Sequence, residues 1–168
     1  ETQLEPHMLF NTLANLRALI GVDARRAQDM LDRLVAYLRA TLAASRASTY
    51  SLGAEFERLN DYLELMRVRM GARLQFALDL PPELAGQQIP PLLLQALVEN
   101  SIKHGLEPSV QGGRINIRAA RAGSQLVLQV QDSGVGLHAG DSAPSPTGSG
   151  FGLSQVRERL QASHGAQA

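Results

Sequence analysis

The sequence predicts an α+β protein, with a helical part over residues 1–70 and a two-layer α/β sandwich over residues 71–168. Three observations predict it. Up to Met70, apolar residues recur every three or four positions, the period of a helix face. From Leu74 the period falls to two, in three short runs that read as strands. Between the first and second of these runs, residues 92–106 return to helical spacing.

In the first segment Leu9, Leu13, Leu16 and Ile20 form the apolar stripe, with His7, Asn11, Ala14 and Ala18 on the other side. Pro6 fits a first helical turn, where its missing N–H costs nothing. Gly21 ends this helix and Asp23 caps the next. The second helix carries Leu31, Leu34, Leu38 and Leu42, a narrow stripe suited to pairing with another helix. After a polar link over 45–51, a third helix from about Leu52 presents Phe56, Leu59, Leu63, Met66 and Met70 and stops at Gly71.

The first strand alternates Leu74, Phe76, Leu78 and Leu80 with polar or small residues, and Pro81-Pro82 closes it. Residues 92–106 predict one helix, opened by Pro90 and Pro91 and ended by Gly105. Two further strands place Ile115, Ile117 and Ala119, then Leu126, Leu128 and Val130, on one face, with a hairpin turn at Ala122-Gly123-Ser124. The pattern is a half-buried antiparallel sheet covered on one side by helices. Residues 138–147, rich in Ala, Ser, Pro, Gly and Asp, read as a loop, and a last helix runs through Val156 and Leu160.

Lys plus Arg equals Asp plus Glu at 16 each, which argues against nucleic acid or an anionic membrane as the main partner. The absence of cysteine excludes disulfides, thiol catalysis and Cys-ligated zinc. Four histidines without an HExxH-like pairing do not build a metal site. The longest apolar stretch, 89–98, is broken by two prolines and a glutamine, too short for a bilayer. Glu1 opens directly on polar, helical sequence, as an excised fragment would, so a soluble, cytoplasmic piece is expected.

Three stretches carry chemistry. On the helix of residues 92–106, Glu99, Asn100 and Lys103 share an arc of roughly 100°, with His104 beside them. An amide oxygen suits a hard cation and an ammonium suits phosphate, although a solvated face of a core helix is the plainer reading of that helix alone. The third strand ends in Asp132-Ser133-Gly134-Val135-Gly136, and Asp132 shares the parity of Leu126, Leu128 and Val130. A carboxylate on that side requires a donor, such as the amine of a base, and two glycines admit a flat ring. Alone, the same residues make an ordinary turn. Gly148, Gly150 and Gly152 lead into the last helix, where backbone amides can receive phosphate.

In this order the three resemble the nucleotide site of the GHKL ATPase/kinase superfamily. The opening residues 4–13 (Leu-Glu-Pro-His-Met-Leu-Phe-Asn-Thr-Leu) resemble the Pro-His-Phe-Leu-Phe-Asn box of LytS/YehU-type sensor histidine kinases. Residues 98–105 resemble that family's N box and 150–160 its second glycine box. The resemblance implies a phospho-acceptor and dimerisation segment ahead of a GHKL-type ATP-binding domain whose C-terminal strands are missing. It implies His7 as phospho-acceptor and Glu99 as a group that orients or deprotonates it. Asn100 is implied as the Mg²⁺ ligand, with Lys103 and His104 near phosphate oxygens. Asp132 is implied on the adenine amine, with Gly134 and Gly136 under the ring. Residues 137–149 are implied as an ATP lid that Gly148, Gly150 and Gly152 bend over the phosphates.

Met8 stands where the family has Phe, an apolar exchange. Hydrolytic GHKL relatives carry a water-activating Glu where this chain has Ala96, which favours transfer to a side chain over hydrolysis. The implied protein is the catalytic core of a two-component kinase. It autophosphorylates His7 from Mg-ATP and passes the phosphoryl group to a response regulator with DNA-binding output. The implied kinase is a homodimer without nucleic-acid contacts of its own, tied to a membrane only through sensor regions absent from this chain. The alternatives are a nucleotide-binding regulatory module without turnover and a GHKL-type ATPase.

Overall fold

The computed structural model describes residues 6–134. The predicted loop over 138–147, the helix through Val156 and Leu160, and Gly136, Gly148, Gly150 and Gly152 lie outside the described residues, as do Leu4 and Glu5.

Three helices come first: α1, Pro6–Ile20; α2, Ala24–Arg46; and α3, Leu52–Met70. Asp23 accepts from the Arg26 N–H at 3.0 Å and so caps α2. Ser51 caps α3 by accepting from the Ala54 N–H at 3.1 Å, and Gly71 ends it with φ +61°. The predicted α3 stripe is buried from end to end. On α1 the stripe is rotated: Met8, Thr12 and Leu16 are buried, whereas Leu13 and Ile20 are exposed. On α2 the buried row is Ala27, Met30, Leu34, Tyr37, Thr41 and Ala44, and Leu31 and Leu42 are exposed. Both helices therefore carry more apolar surface than α3 can cover. Leucine spacing alone cannot say which of two apolar faces turns inward.

The sheet has the order β1-β2-β3, from strands Leu74–Asp79, Gly113–Ala122 and Gln125–Asp132. Strands β2 and β3 pair antiparallel through the predicted turn, where Gly123 takes φ +62°. Strands β1 and β2 pair parallel, Leu74 opposite Gly113 and Asp79 opposite Arg118. The sheet is thus mixed, which corrects the all-antiparallel expectation. The chain between these strands crosses over the helix-covered face and re-enters from the same end, as a parallel neighbour requires. That crossover is stitched to the start of α3: Leu52 N–H donates to the Gln87 carbonyl and Ile89 N–H to that of Tyr50, both at 2.8 Å.

Leu59, Leu63, Leu94, Val98, Ile115 and Ile117 form the centre of the core, between α3, the crossover and one face of the sheet. Among the described residues no helix is long and apolar enough to cross a membrane.

Two glycines with positive φ separate backbone strain from crowding. A Cβ on Gly123 (φ +62°) meets nothing within 4 Å, whereas one on Gly112 (φ +71°) collides with the Arg73 carbonyl. Gly123→Ala is expected to cost about 1 kcal/mol and Gly112→Ala about 3 kcal/mol or more. Urea unfolding midpoints of the two variants check the order, and equal midpoints contradict it.

Candidate functional site

The site is built on the crossover helix, which begins later than its sequence suggests. Leu92 has φ +61°, so residues 91–94 form a turn and α4 runs Gln95–Asn100. It continues as a wider π-helical turn, Ser101–Leu106. There the Glu107 N–H reaches back five residues to the Ile102 carbonyl at 2.8 Å. Leu97, Val98, Ile102 and Leu106 are buried, Glu99 and Asn100 half-buried, and Ala96, Lys103 and His104 exposed. Glu99, Asn100, Lys103 and His104 therefore lie off the buried face. The helix end is not as predicted, because the turn runs past Gly105.

Gly105 serves a close approach instead. A Cβ there would lie 2.9 Å from Asp132 Oδ1, and one on Gly134 would collide with the Gly105 carbonyl. Asp132 sits opposite Ile115 in the ladder, on the helix-covered face of the sheet. It is exposed at that edge, and its Oδ1 accepts from the Gly134 N–H at 3.0 Å. Backbone thus meets backbone where the strand end abuts the helix, leaving a carboxylate beside a surface bare of side chains. An amine-bearing flat ring fits that chemistry, and the Asn100 amide oxygen on the same helix is a donor of the kind a hard dication takes.

His7 lies exposed on α1 with the Asn11 amide 3.0 Å from its Nδ1. The atom facing the ring is the Asn11 Nδ2, which donates to Nδ1 when the neutral ring carries its proton on Nε2; the tautomer decides the roles. Asn11, one turn after His7, is a contact that sequence reading left on the plain side of the helix. A cavity of about 60 Å³ is lined by His7, Met8, Met66, Arg69, Lys103 and Glu107. Arg69 forms an ion pair with Glu107 at its rim. The structure therefore brings His7 together with Lys103, and Asp132 and Gly134 together with the helix that carries Asn100. Gly136, Gly148, Gly150 and Gly152 are outside the described residues.

Sequence reading missed a buried polar chain behind this helix. The Arg58 guanidinium donates to Glu55 Oε1 at 2.7 Å and to Gln95 Oε1 at 2.5 Å. Gln95 Nε2 donates to the Tyr37 hydroxyl at 3.0 Å and to Glu99 Oε1 at 2.5 Å. The Glu55 and Arg58 side chains are fully buried. Burial works against the Arg58 charge, but the Glu55 carboxylate overrides it and raises the pKa. Burial pushes the Tyr37 hydroxyl up to about 12, against the pull of Arg58, and Glu99 adds to the rise. The only sequence signal was a charged pair at spacing three, Glu55 and Arg58, on a helix whose apolar stripe runs beside it.

The family described as histidine kinase matches residues 1–74. The family described as histidine kinase-, DNA gyrase B-, and HSP90-like ATPase matches residues 89–168. The sensor histidine kinase BtsS of Escherichia coli K12 is 37% identical over 160 residues, 95% of this chain and 27% of that protein. The sensor protein LytS of Staphylococcus saprophyticus is 31% identical over 175 residues, all of this chain and 30% of that protein. A solved structure, the blue-light activated histidine kinase EL346 of Erythrobacter litoralis, superposes with a TM-score of 0.47 at 17% identity, over 96% of this chain and 57% of that one. The chain spans less than a third of the length of these two curated relatives.

The raised pKa of Tyr37 has a definite sign. The folded state holds the proton more tightly than the unfolded chain, whose tyrosines titrate near 10. The stabilisation is complete below about pH 10 and is lost as pH rises toward 12, amounting to on the order of 2–3 kcal/mol. Unfolding midpoints measured from pH 8 to 11.5 should fall in the wild type and fall less steeply in Tyr37→Phe. Parallel curves contradict the assignment.

Proposed function

Because the chain belongs to the sensor histidine kinases, we propose that it is the catalytic core of one. On this reading it autophosphorylates His7 from ATP and passes the phosphoryl group to an aspartate of a response regulator. The observation that carries the reading is the cavity shared by His7 and Lys103, one from each matched family segment.

In the phosphoryl-transfer step the neutral His7 ring uses the lone pair of its unprotonated nitrogen to bond to the γ-phosphorus. The bond from that phosphorus to the bridging oxygen breaks, ADP leaves with the electron pair, and the ring N–H proton is given up. Glu99 orients His7 or takes that proton. Asn100 would hold Mg²⁺, and Lys103 and His104 would neutralise phosphate oxygens. Asp132 accepts from the adenine amine with Gly134 and Gly136 beneath the ring, and residues 137–149 serve as the lid that Gly148, Gly150 and Gly152 bend over the phosphates. Mg²⁺, when bound, supplies charge neutralisation across the phosphates. Among the described residues no three His, Cys, Asp or Glu cluster as a metal site.

The exposed Phe10, Leu13, Ile20, Leu31, Val35 and Leu42 on α1 and α2 support pairing with a second copy. The reading places the chain in the cytoplasm, with any membrane attachment in parts of a longer protein.

Incubation with γ-labelled ATP tests the proposal. Acid-labile, base-stable label is expected on wild type and absent in His7→Ala. By calorimetry, Asp132→Ala should weaken ATP binding about 10- to 100-fold, the loss of one charge-assisted hydrogen bond, and Asn100→Ala should abolish the Mg²⁺ dependence. Tight ATP binding without label would instead mean a regulatory module, and rapid release of free phosphate an ATPase.

A further inference from the structure

We propose that Gln95 is a positioning residue: its amide, fixed by Arg58 and Tyr37, holds the Glu99 carboxylate in the orientation that phosphoryl transfer uses. The inference rests on the kinase reading above and adds to it a residue that acts only through Glu99.

The geometry leaves the amide one orientation. Gln95 Oε1 faces the Arg58 guanidinium at 2.5 Å, and its two N–H bonds are spent on the Tyr37 hydroxyl at 3.0 Å and Glu99 Oε1 at 2.5 Å. Turning the amide over would set its NH₂ against a guanidinium and its oxygen against a carboxylate, two repulsions in a buried site. The guanidinium is itself held by Glu55 at 2.7 Å, and Glu55 Oε1 also receives the Leu94 N–H at 3.3 Å, at the start of the same helix. A buried ion pair on α3 and a tyrosine on α2 thus set the side chain that grips Glu99. Glu99 precedes Asn100 directly and lies one turn before Lys103, which lines the His7 cavity. The helical segment that carries His7 therefore reaches the Glu99 carboxylate of the crossover helix through one amide.

A positioning role separates from a structural one in a double-mutant cycle. In the intact protein the rate of His7 labelling and the ATP concentration giving half-maximal rate are measured for wild type, Gln95→Met, Glu99→Gln and the double variant. Gln95→Met keeps the volume but cannot donate to Glu99. It should lower the maximal rate by on the order of tenfold with the half-maximal ATP concentration unchanged. The double variant should be no slower than Glu99→Gln alone, because Gln95 acts through Glu99. Multiplying losses, a parallel rise in the half-maximal ATP concentration, or an unchanged rate would each overturn the assignment. If Gln95→Met does not fold, Tyr37→Phe removes one of the three anchors and should slow labelling in the same direction; no change there also overturns it. Wild type without label on His7 fails the kinase reading, and this inference with it. Labelled wild type with an additive cycle fails this inference alone.

Discussion

The pairing of Glu55 with Arg58 is the constraint on which the interior depends. A guanidinium and a carboxylate with no solvent exposure survive only where each finds a close partner. The arrangement is incompletely satisfied even so, since among the described residues Glu55 Oε2 and Arg58 Nε have no hydrogen-bond partner. Such a pair adds little net stability over an apolar filling, but removing one member strands the other at a cost of about 3–5 kcal/mol. Its effect is therefore to fix arrangement. Arg58 dictates which way the Gln95 amide faces, and Glu55 takes the Leu94 N–H at the helix start. The crossover helix is tied to α3 by polarity as well as by the apolar contacts of Leu94 and Val98.

Much of this architecture was legible because it follows from period. The stripe of α3 and the alternation of Leu74, Phe76 and Leu78, then of Ile115, Ile117 and Ala119, each specify a buried face by spacing alone. The caps at Asp23 and Gly71 and the turn at Gly123 follow from residue chemistry. What failed depended on partners remote in sequence. Leu13 and Leu31 are apolar at helical spacing, yet they face outward because α3 is occupied by neighbouring rows. The direction of β1 is set by the path of the crossover, which carries no local signal. Gln95, Glu55 and Arg58 look like a solvated face until three helices are assembled around them.

The candidate site divides in the same way. The proximity of Asp132 to the crossover helix followed from the parity of its strand, since Ile115 opposite it lies in the core. That two backbones touch there was not legible. Gly105 looks like a helix terminator, yet the turn continues through Leu106, and the glycine is needed because a Cβ would press on the Asp132 carboxylate. His7 and Lys103 were named for separate reasons, and only the packing of α1 against α3 and the crossover makes them walls of one cavity.

The mixed sheet also orders the events by which the chain assembles. Strands β2 and β3 are joined by a tight turn at Gly123, so their ladder closes a loop of minimal length. The partner of β1 lies beyond roughly thirty intervening residues, and loop-closure entropy makes that pairing dearer by about 2 kcal/mol before any contact repays it. The hairpin is thus the early local nucleus, and β1 docks late, once the crossover helix has condensed on α3. Because His7 sits on α1 and Lys103 on the crossover helix, that condensation, ahead of the docking of β1, is the step that brings the two together.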